Sequence, residues 1–345
     1  MKRLVPVLIL LLILCGCIQP HGVHDKSKKS SLTIFCAGSL SIPLNDLNEE
    51  FRSYMKSAGY DVDIKIEPSG SVMAVRKITD LGRRADVVAV ADYTLLKDFM
   101  YPDFANFYIA FARNELVLCY TDNSRYCEEI NVENWFEILN RDGVRFGFSN
   151  PNIDPCGYRS LMAMKLADMK YGKHVFRNLI ENNTNIRCEG NRIIAPRNIR
   201  TDGKIVIRDK SVDLISLLEG NCIDYSFEYR SVAMQHGLRF LELPDEINLG
   251  NESLGDLYGK VSVVIWKMRD GKIVQSEIRG KPIVYGVTIP RNSENPEIAL
   301  KYLIFLLGDK GRDVFERNHQ EFLRQPLGFG KIPDDLKDLV KICGG

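Results

Sequence analysis

At 345 residues the chain has room for two domains with separate cores, and 45% hydrophobic against 26% charged residues is the balance of a water-soluble globular protein. A formal net charge of +1, with no basic stripe or aromatic-interleaved patch, excludes a nucleic-acid partner. Five histidines, of which only His21 and His24 lie near one another, and the absence of any Cys-x-x-Cys argue against a dedicated zinc site.

Met1-Lys2-Arg3 is a positive start, and the apolar run Leu4 to Leu14 is too short to span a bilayer but suits the h-region of a secretory signal. The chain is therefore expected outside the cytoplasm. Leu14-Cys15-Gly16-Cys17 resembles a lipobox, which would make Cys17 a lipid-bearing N-terminus holding the protein on the outer face of the cell membrane. Plain signal cleavage nearby is the alternative. Residues 1–17 are thus assigned as signal peptide and 18–30, polar and lysine-bearing, as a tether. Seven further cysteines follow, an odd number that leaves at least one thiol unpaired.

The apolar strand Leu32 to Ala37 breaks at Gly38-Ser39, and Leu40, Leu44, Leu47 and Phe51 then fall on one helix face. A strand feeding a helix through small residues aims unpaired N–H groups and the positive end of the helix dipole at one point, which suits an anion. The pattern returns where Asp61 to Ile66 gives way at Pro68-Ser69-Gly70-Ser71 to Val72, Val75 and Ile78. It returns again where Val144 to Phe148 leads through Ser149 to Gly157 into a helix from Tyr158 to Met169. These three loops are expected to converge on one small oxyanion.

Ala85 to Val90 reads as a strand covered on both faces, so residues up to about Phe111 form an α/β unit with a parallel sheet. Phe111 to Tyr120 is a strand long enough to cross between domains. Trp135 to Leu139 reads as a short helix, and Asn182 to Lys210 as a surface insertion with a weak hairpin at Asp202-Gly203. Val212 to Leu218 is helical, Asp224 to Tyr229 a strand, Ile283 to Ile289 a second crossing strand, and Asn295-Pro296 opens an amphipathic helix. The expected architecture is a clamshell, with 31–112 and 283–345 as lobe I and 113–282 as lobe II. It should close about Ala112-Arg113 and the segment near Pro282.

Six stretches, taken together, resemble the solute-binding proteins of molybdate and tungstate ABC transporters, in their archaeal-type branch. They are Phe35-Cys36-Ala37-Gly38-Ser39-Leu40, Pro68-Ser69-Gly70-Ser71, Ala85-Asp86-Val87-Val88-Ala89, Arg113-Asn114-Glu115-Leu116-Val117-Leu118, Asp154-Pro155-Cys156-Gly157-Tyr158-Arg159 and Asp224-Tyr225-Ser226-Phe227-Glu228-Tyr229-Arg230-Ser231. The resemblance implies an α/β periplasmic-binding-protein fold with two crossover strands, no catalysis and no cofactor. It also implies a monomer that delivers bound tungstate or molybdate to a membrane permease. Matched position by position, it places ligand-contacting serines at Ser39 and Ser71, and carboxylates approaching the metal of the oxyanion at Asp154 and Glu228. Backbone amides fall at Cys156 and near Val212, and a ligand-contacting tyrosine at Tyr229.

Carboxylates beside an anion need a reason, since one ~4 Å from a −2 charge at an effective dielectric of ~20 is repelled by on the order of 8 kcal/mol. A helix N-terminus returns at most ~2 kcal/mol. Either the carboxyls are protonated, or their oxygens bond the central atom. Tungsten(VI) and molybdenum(VI) can expand from four oxygens to six, whereas sulfur in sulfate and phosphorus in phosphate cannot readily do so.

Other readings of the same residues stand beside this one. Asp154 before Pro155 is also what an ordinary N-cap looks like, Ser39 and Ser71 could be caps, and Glu228 could face solvent. Cys156 at a helix start could be the nucleophile of a hydrolase. A sulfate or phosphate receptor is a rival within the binding class; a ferric-ion receptor is disfavoured by the lack of an adjacent Tyr-Tyr pair.

Overall fold

The computed structural model describes residues 28–269 and 272–344. The signal peptide and lipobox expected at 1–17, with Cys17, lie outside the described residues, as do residues 18–27 of the expected tether. Residues 28–30 are a correction: Lys28–Ser31 already pair with Tyr60–Asp63, because β1 (Lys28–Ala37) runs in parallel register along all of β2 (Tyr60–Ser69). Backbone hydrogen bonding to β2, rather than side-chain polarity, sets where the folded body begins.

After β3 (Val87–Val90) and β4 (Phe107–Asn114), one residue, Glu115, separates β4 from β5 (Leu116–Tyr120). There follow β6 (Phe146–Ser149), β7 (Arg187–Glu189), β8 (Arg192–Ile194), β9 (Ile205–Arg208), β10 (Tyr225–Tyr229) and β11 (Arg239–Glu242). Next come β12 (Ser262–Arg269), β13 (Lys272–Arg279), β14 (Ile283–Thr288), β15 (Phe322–Gly330) and β16 (Lys341–Cys343). They form a seven-stranded sheet in the order β16-β15-β4-β14-β3-β1-β2 and a five-stranded sheet, β11-β5-β10-β6-β9. A four-stranded sheet, β13-β12-β8-β7, completes the set. The first sheet therefore draws on both ends of the described chain and the second on its middle. The chain passes from one to the other through Glu115 and returns through β14, which lies antiparallel between β3 and β4. This is a two-lobed α/β fold joined by two crossing strands.

The third sheet was not expected from the sequence. Its hairpin is Arg187–Ile194, turning at Gly190, whose φ of +63° favours glycine. The hairpin expected at Asp202-Gly203 does not form. Gly203 does turn, at φ +99°, but Ile205 beyond it pairs in parallel with Phe146 rather than folding back on its own neighbour.

Helices α1 (Ser41–Ser57), α2 (Ser71–Thr79), α3 (Trp135–Asn140), α4 (Pro155–Tyr171), α5 (Ile215–Glu219) and α6 (Arg230–Gln235) cover the sheets. α1 buries Leu44, Leu47 and Phe51 of the predicted stripe and adds Met55, Leu40 lies in the turn before it, and α4 carries Pro155 at its first turn and stops at Gly172 in the left-handed region. A 3₁₀ turn, Gly38–Leu40, links β1 to α1, and another, Ser211–Leu214, runs into α5. The three predicted loops thus leave the carboxyl ends of β1, β2 and β6, where open α/β sheets gather ligands. β10, covered on both faces, is buried at every position, so its Glu228 has no solvated side to turn toward.

Candidate functional site

Loops of the two lobes meet face to face. The amides of Val72 and Met73, in the first turn of α2, donate to the Ile153 carbonyl at 3.1 and 3.3 Å. This approach demands glycine at position 70, where a Cβ would lie 2.3 Å from the Ile153 oxygen and 3.0 Å from Asp154 Cβ. At the other loop, a Cβ on Gly38 would lie 3.0 Å from Val212 Cγ2. Residues 38 and 70 of lobe I are therefore apposed to 212 and 153–154 of lobe II.

The sequence-predicted residues of lobe I are neutral and tied down. Ser39 is buried, and its Oγ accepts a hydrogen bond from the Tyr285 hydroxyl at 3.0 Å. Ser71 Oγ, wholly buried, accepts from the Ala91 amide at 2.9 Å. Each hydroxyl keeps its own hydrogen free to donate elsewhere.

Those of lobe II carry the charge. Asp154 precedes α4 in extended backbone, its Oδ2 accepts from the Ser211 amide at 3.0 Å, and the Cys156 amide in the first turn of α4 also favours its charged form. Burial pushes its carboxyl up to about 6, with the Ser211 amide offsetting only part. Glu228 is wholly buried, so the solvated reading fails. Its Oε2 accepts from the Tyr229 amide at 2.9 Å, while its Oε1 has no hydrogen-bond partner. Burial pushes this carboxyl up to about 8, with the charge of Asp154 adding to the effect.

Val212 sits second in the 3₁₀ turn that supplies the Ser211 amide. Tyr229 is buried, and its hydroxyl accepts from Arg159 Nη1 at 2.7 Å. Cys156 is wholly buried, its thiol 3.6 Å from the Phe227 carbonyl, and burial raises it well above its ordinary range. A nucleophile at a helix start needs the opposite shift, so the hydrolase reading loses its chemical basis. All seven cysteines among the described residues are free thiols.

Sequence reasoning passed over Arg159, although it lies inside one of the stretches quoted above. The guanidinium is 2% exposed and donates from Nη1 to the Ala91 carbonyl and the Tyr229 hydroxyl, both at 2.7 Å, and its Nη2 lies 3.4 Å from Asp92 Oδ2. Asp92 also accepts from the Tyr158 hydroxyl at 2.6 Å, and from the amide and hydroxyl of Thr94. Burial opposes ionisation of Asp92, but Arg159 and the hydroxyl donors hold its carboxyl below the usual range. The available signal was an arginine on the same helix as Leu161, Met162 and Met164, since a charge on a buried face needs a partner. Tyr285 and Ser211 were also missed; neither stands in a recognisable pattern.

Ser69 Oγ, Ser149 Oγ and Glu228 Oε1 are buried polar atoms without a hydrogen-bond partner, and Arg159 Nη2 has none beyond its ion pair with Asp92. Two end the strands that feed these loops, and two sit on the lobe II wall. Such atoms are uncommon in folded proteins, and this set has donors and acceptors suited to a small oxygen-rich ligand. Among the described residues no group of three or more His, Cys, Asp or Glu is placed to hold a metal cation.

Comparisons with known proteins bear on the family and the fold. The family described as bacterial extracellular solute-binding protein matches residues 32–320. The chain is 48% identical over 345 residues to the molybdate/tungstate-binding protein WtpA of Thermococcus kodakarensis, covering 98% of this chain and 96% of that one. It is 47% identical over 339 residues to the protein of the same name from Pyrococcus abyssi, covering 97% of each. Among solved structures it resembles the periplasmic molybdate-binding protein of Azotobacter vinelandii at a TM-score of 0.57 and 16% identity, over 84% of this chain and 98% of that one. The sulfate-binding protein SubI of Mycobacterium tuberculosis gives the same TM-score at 11% identity, over 91% of this chain and 94% of that one. A molybdate-binding and a sulfate-binding protein thus share this fold equally well, and the fold by itself does not choose an anion.

Proposed function

Since the chain belongs to the extracellular solute-binding protein family, we propose that it captures tungstate or molybdate between its lobes and hands it to the permease of an ABC transporter. The observation that carries this reading is the pair of buried carboxyls, Asp154 and Glu228, on the lobe II wall of a cleft whose lobe I wall offers serine hydroxyls. Relatives named for molybdate and tungstate support the choice of anion. In this reading one oxygen of each carboxylate bonds the metal centre and completes six-coordination, while Ser39, Ser71 and the amides at Cys156 and Val212 hold the oxo groups. The Tyr229 hydroxyl, fixed by Arg159, lines the same wall. Export by the N-terminal signal, with an anchor at Cys17, would keep the receptor beside its permease. No helix among the described residues is long and apolar enough to cross a membrane.

The raised carboxyls favour a second reading. A protonated Glu228 is an O–H donor, and a neutral donor serves any tetrahedral oxyanion, sulfate included. Calorimetry with tungstate, molybdate, sulfate and phosphate separates the two. Metal bonding predicts binding of the first pair alone, with proton release as the carboxyls ionise. Donation from neutral carboxyls predicts sulfate binding of comparable strength with no proton released.

A further inference from the structure

The geometry points to a latch between the lobes, made by Asp92 and Arg159, that keeps the cleft shut over its cargo; it rests on the reading of the chain as an oxyanion receptor. Asp92 follows β3 in lobe I, and Arg159 belongs to α4 in lobe II. Both side chains are 2% exposed, 3.4 Å apart at the nearest charged atoms. Two consecutive residues of α4, Tyr158 and Arg159, thus reach across to two consecutive residues of lobe I, Ala91 and Asp92. Thr94 and Lys281 complete the surroundings of Asp92: Thr94 donates to its Oδ1, and the Lys281 ammonium, bonded to Thr94 Oγ1 at 2.9 Å, adds positive charge.

A buried ion pair inside one rigid body forms once, on folding. This pair forms whenever the lobes close and parts whenever they open, when each charge returns to water. Its net contribution to closure is small, because desolvation offsets attraction. The consequence lies in the failure cases: a closed state lacking the Asp92 charge must bury the Arg159 guanidinium without a carboxylate, which is strongly disfavoured, whereas Asp92 without Arg159 keeps Thr94 and Lys281.

The latch is also wired to both walls of the site. The Ala91 amide holds Ser71 Oγ, while the Ala91 carbonyl takes Arg159 Nη1, which in turn holds the Tyr229 hydroxyl. A cargo that displaces Ser71 or Tyr229 therefore disturbs the latch, and a cargo that seats well leaves it intact. Asp92 and Arg159 act here as positioning residues, coupling correct seating to closure.

The test is a double-mutant cycle of Asp92→Asn, Arg159→Gln and the double variant. It is read by calorimetry with tungstate and by small-angle scattering at saturating tungstate, with the melting of each ligand-free variant as the control for folding. Asp92→Asn is expected to weaken binding about tenfold or more and to leave the bound protein less compact. The double variant, with no orphaned charge, is expected to bind more tightly than Asp92→Asn alone. Binding by Asp92→Asn within twofold of the wild type, or a double variant whose loss equals the product of the two single losses, would overturn the latch. If the wild type binds and the variants close normally, only the latch falls; if the wild type binds none of the four oxyanions, the receptor reading falls first and takes the latch with it.

Discussion

On the proposed reading the cleft has two walls built from the same local device, a strand running into a helix through small residues, yet carrying opposite chemistry. The lobe I wall presents Ser39 and Ser71, neutral hydroxyls fixed by Tyr285 and by the Ala91 amide. The lobe II wall presents two buried carboxyls and a buried guanidinium. A wall of neutral donors accepts any tetrahedral oxyanion of the right size. The opposite wall is where selectivity can arise, because a carboxylate repels an anion unless it bonds the atom at its centre.

The most direct way to break this contrast is to neutralise the charged wall. The Asp154→Asn, Glu228→Gln double variant is expected to lose tungstate affinity by about a hundredfold or more while its discrimination against sulfate narrows, as calorimetry would show. Undiminished tungstate binding would refute the assignment. Next in size is the apposition of the walls. Gly70→Ala places a methyl 2.3 Å from the Ile153 carbonyl, so the lobes cannot close fully. Affinity for tungstate and molybdate should fall together, about tenfold or more, with scattering showing a more open bound state. A variant that closes and binds normally would count against the loop contact.

The neutral wall should set affinity without setting preference. Ser39→Ala or Ser71→Ala removes one donor to an anion, an effect of about 1.5–3 kcal/mol, so each is expected to weaken all oxyanions by roughly ten- to a hundredfold with little change in their ratio. A selective loss of one anion would move discrimination to the wrong wall. The last effect is on stability and is read apart from binding. Glu228 is pushed up to about 8 from an ordinary 4.5, so the folded protein holds that proton more tightly than the unfolded chain. Its contribution is fully present below about 4.5 and is lost as pH rises through about 8. The ligand-free protein should therefore melt at progressively lower temperature across that window, and Glu228→Gln should flatten the slope. A melting temperature that rises over the same window would contradict the burial of an uncompensated carboxyl.

Much of this was legible in the sequence because it is local. The stripe of Leu44, Leu47 and Phe51 defines α1 at helical spacing, and the small residues at 38–39 and 70–71 mark where strands β1 and β2 turn. Glu228 was harder, since a strand covered on both faces has no alternation from which to read orientation. The Asp92–Arg159 pair was out of reach: the residues lie far apart in the chain, and only the closure of two lobes joins them. The third sheet hid for another reason. Its β7 and β8 are three residues each, too short for periodicity, and Asp202-Gly203 offered a stronger turn signal than the Gly190 turn that makes the hairpin.

X-ray absorption at the tungsten edge of the tungstate-loaded protein tests the metal-bonding claim most directly. Two carboxylate oxygens joined to four oxo groups predict a six-coordinate centre with two longer tungsten–oxygen distances, reverting to four in the Asp154→Asn, Glu228→Gln variant. An undistorted tetrahedron in the wild-type complex would contradict it.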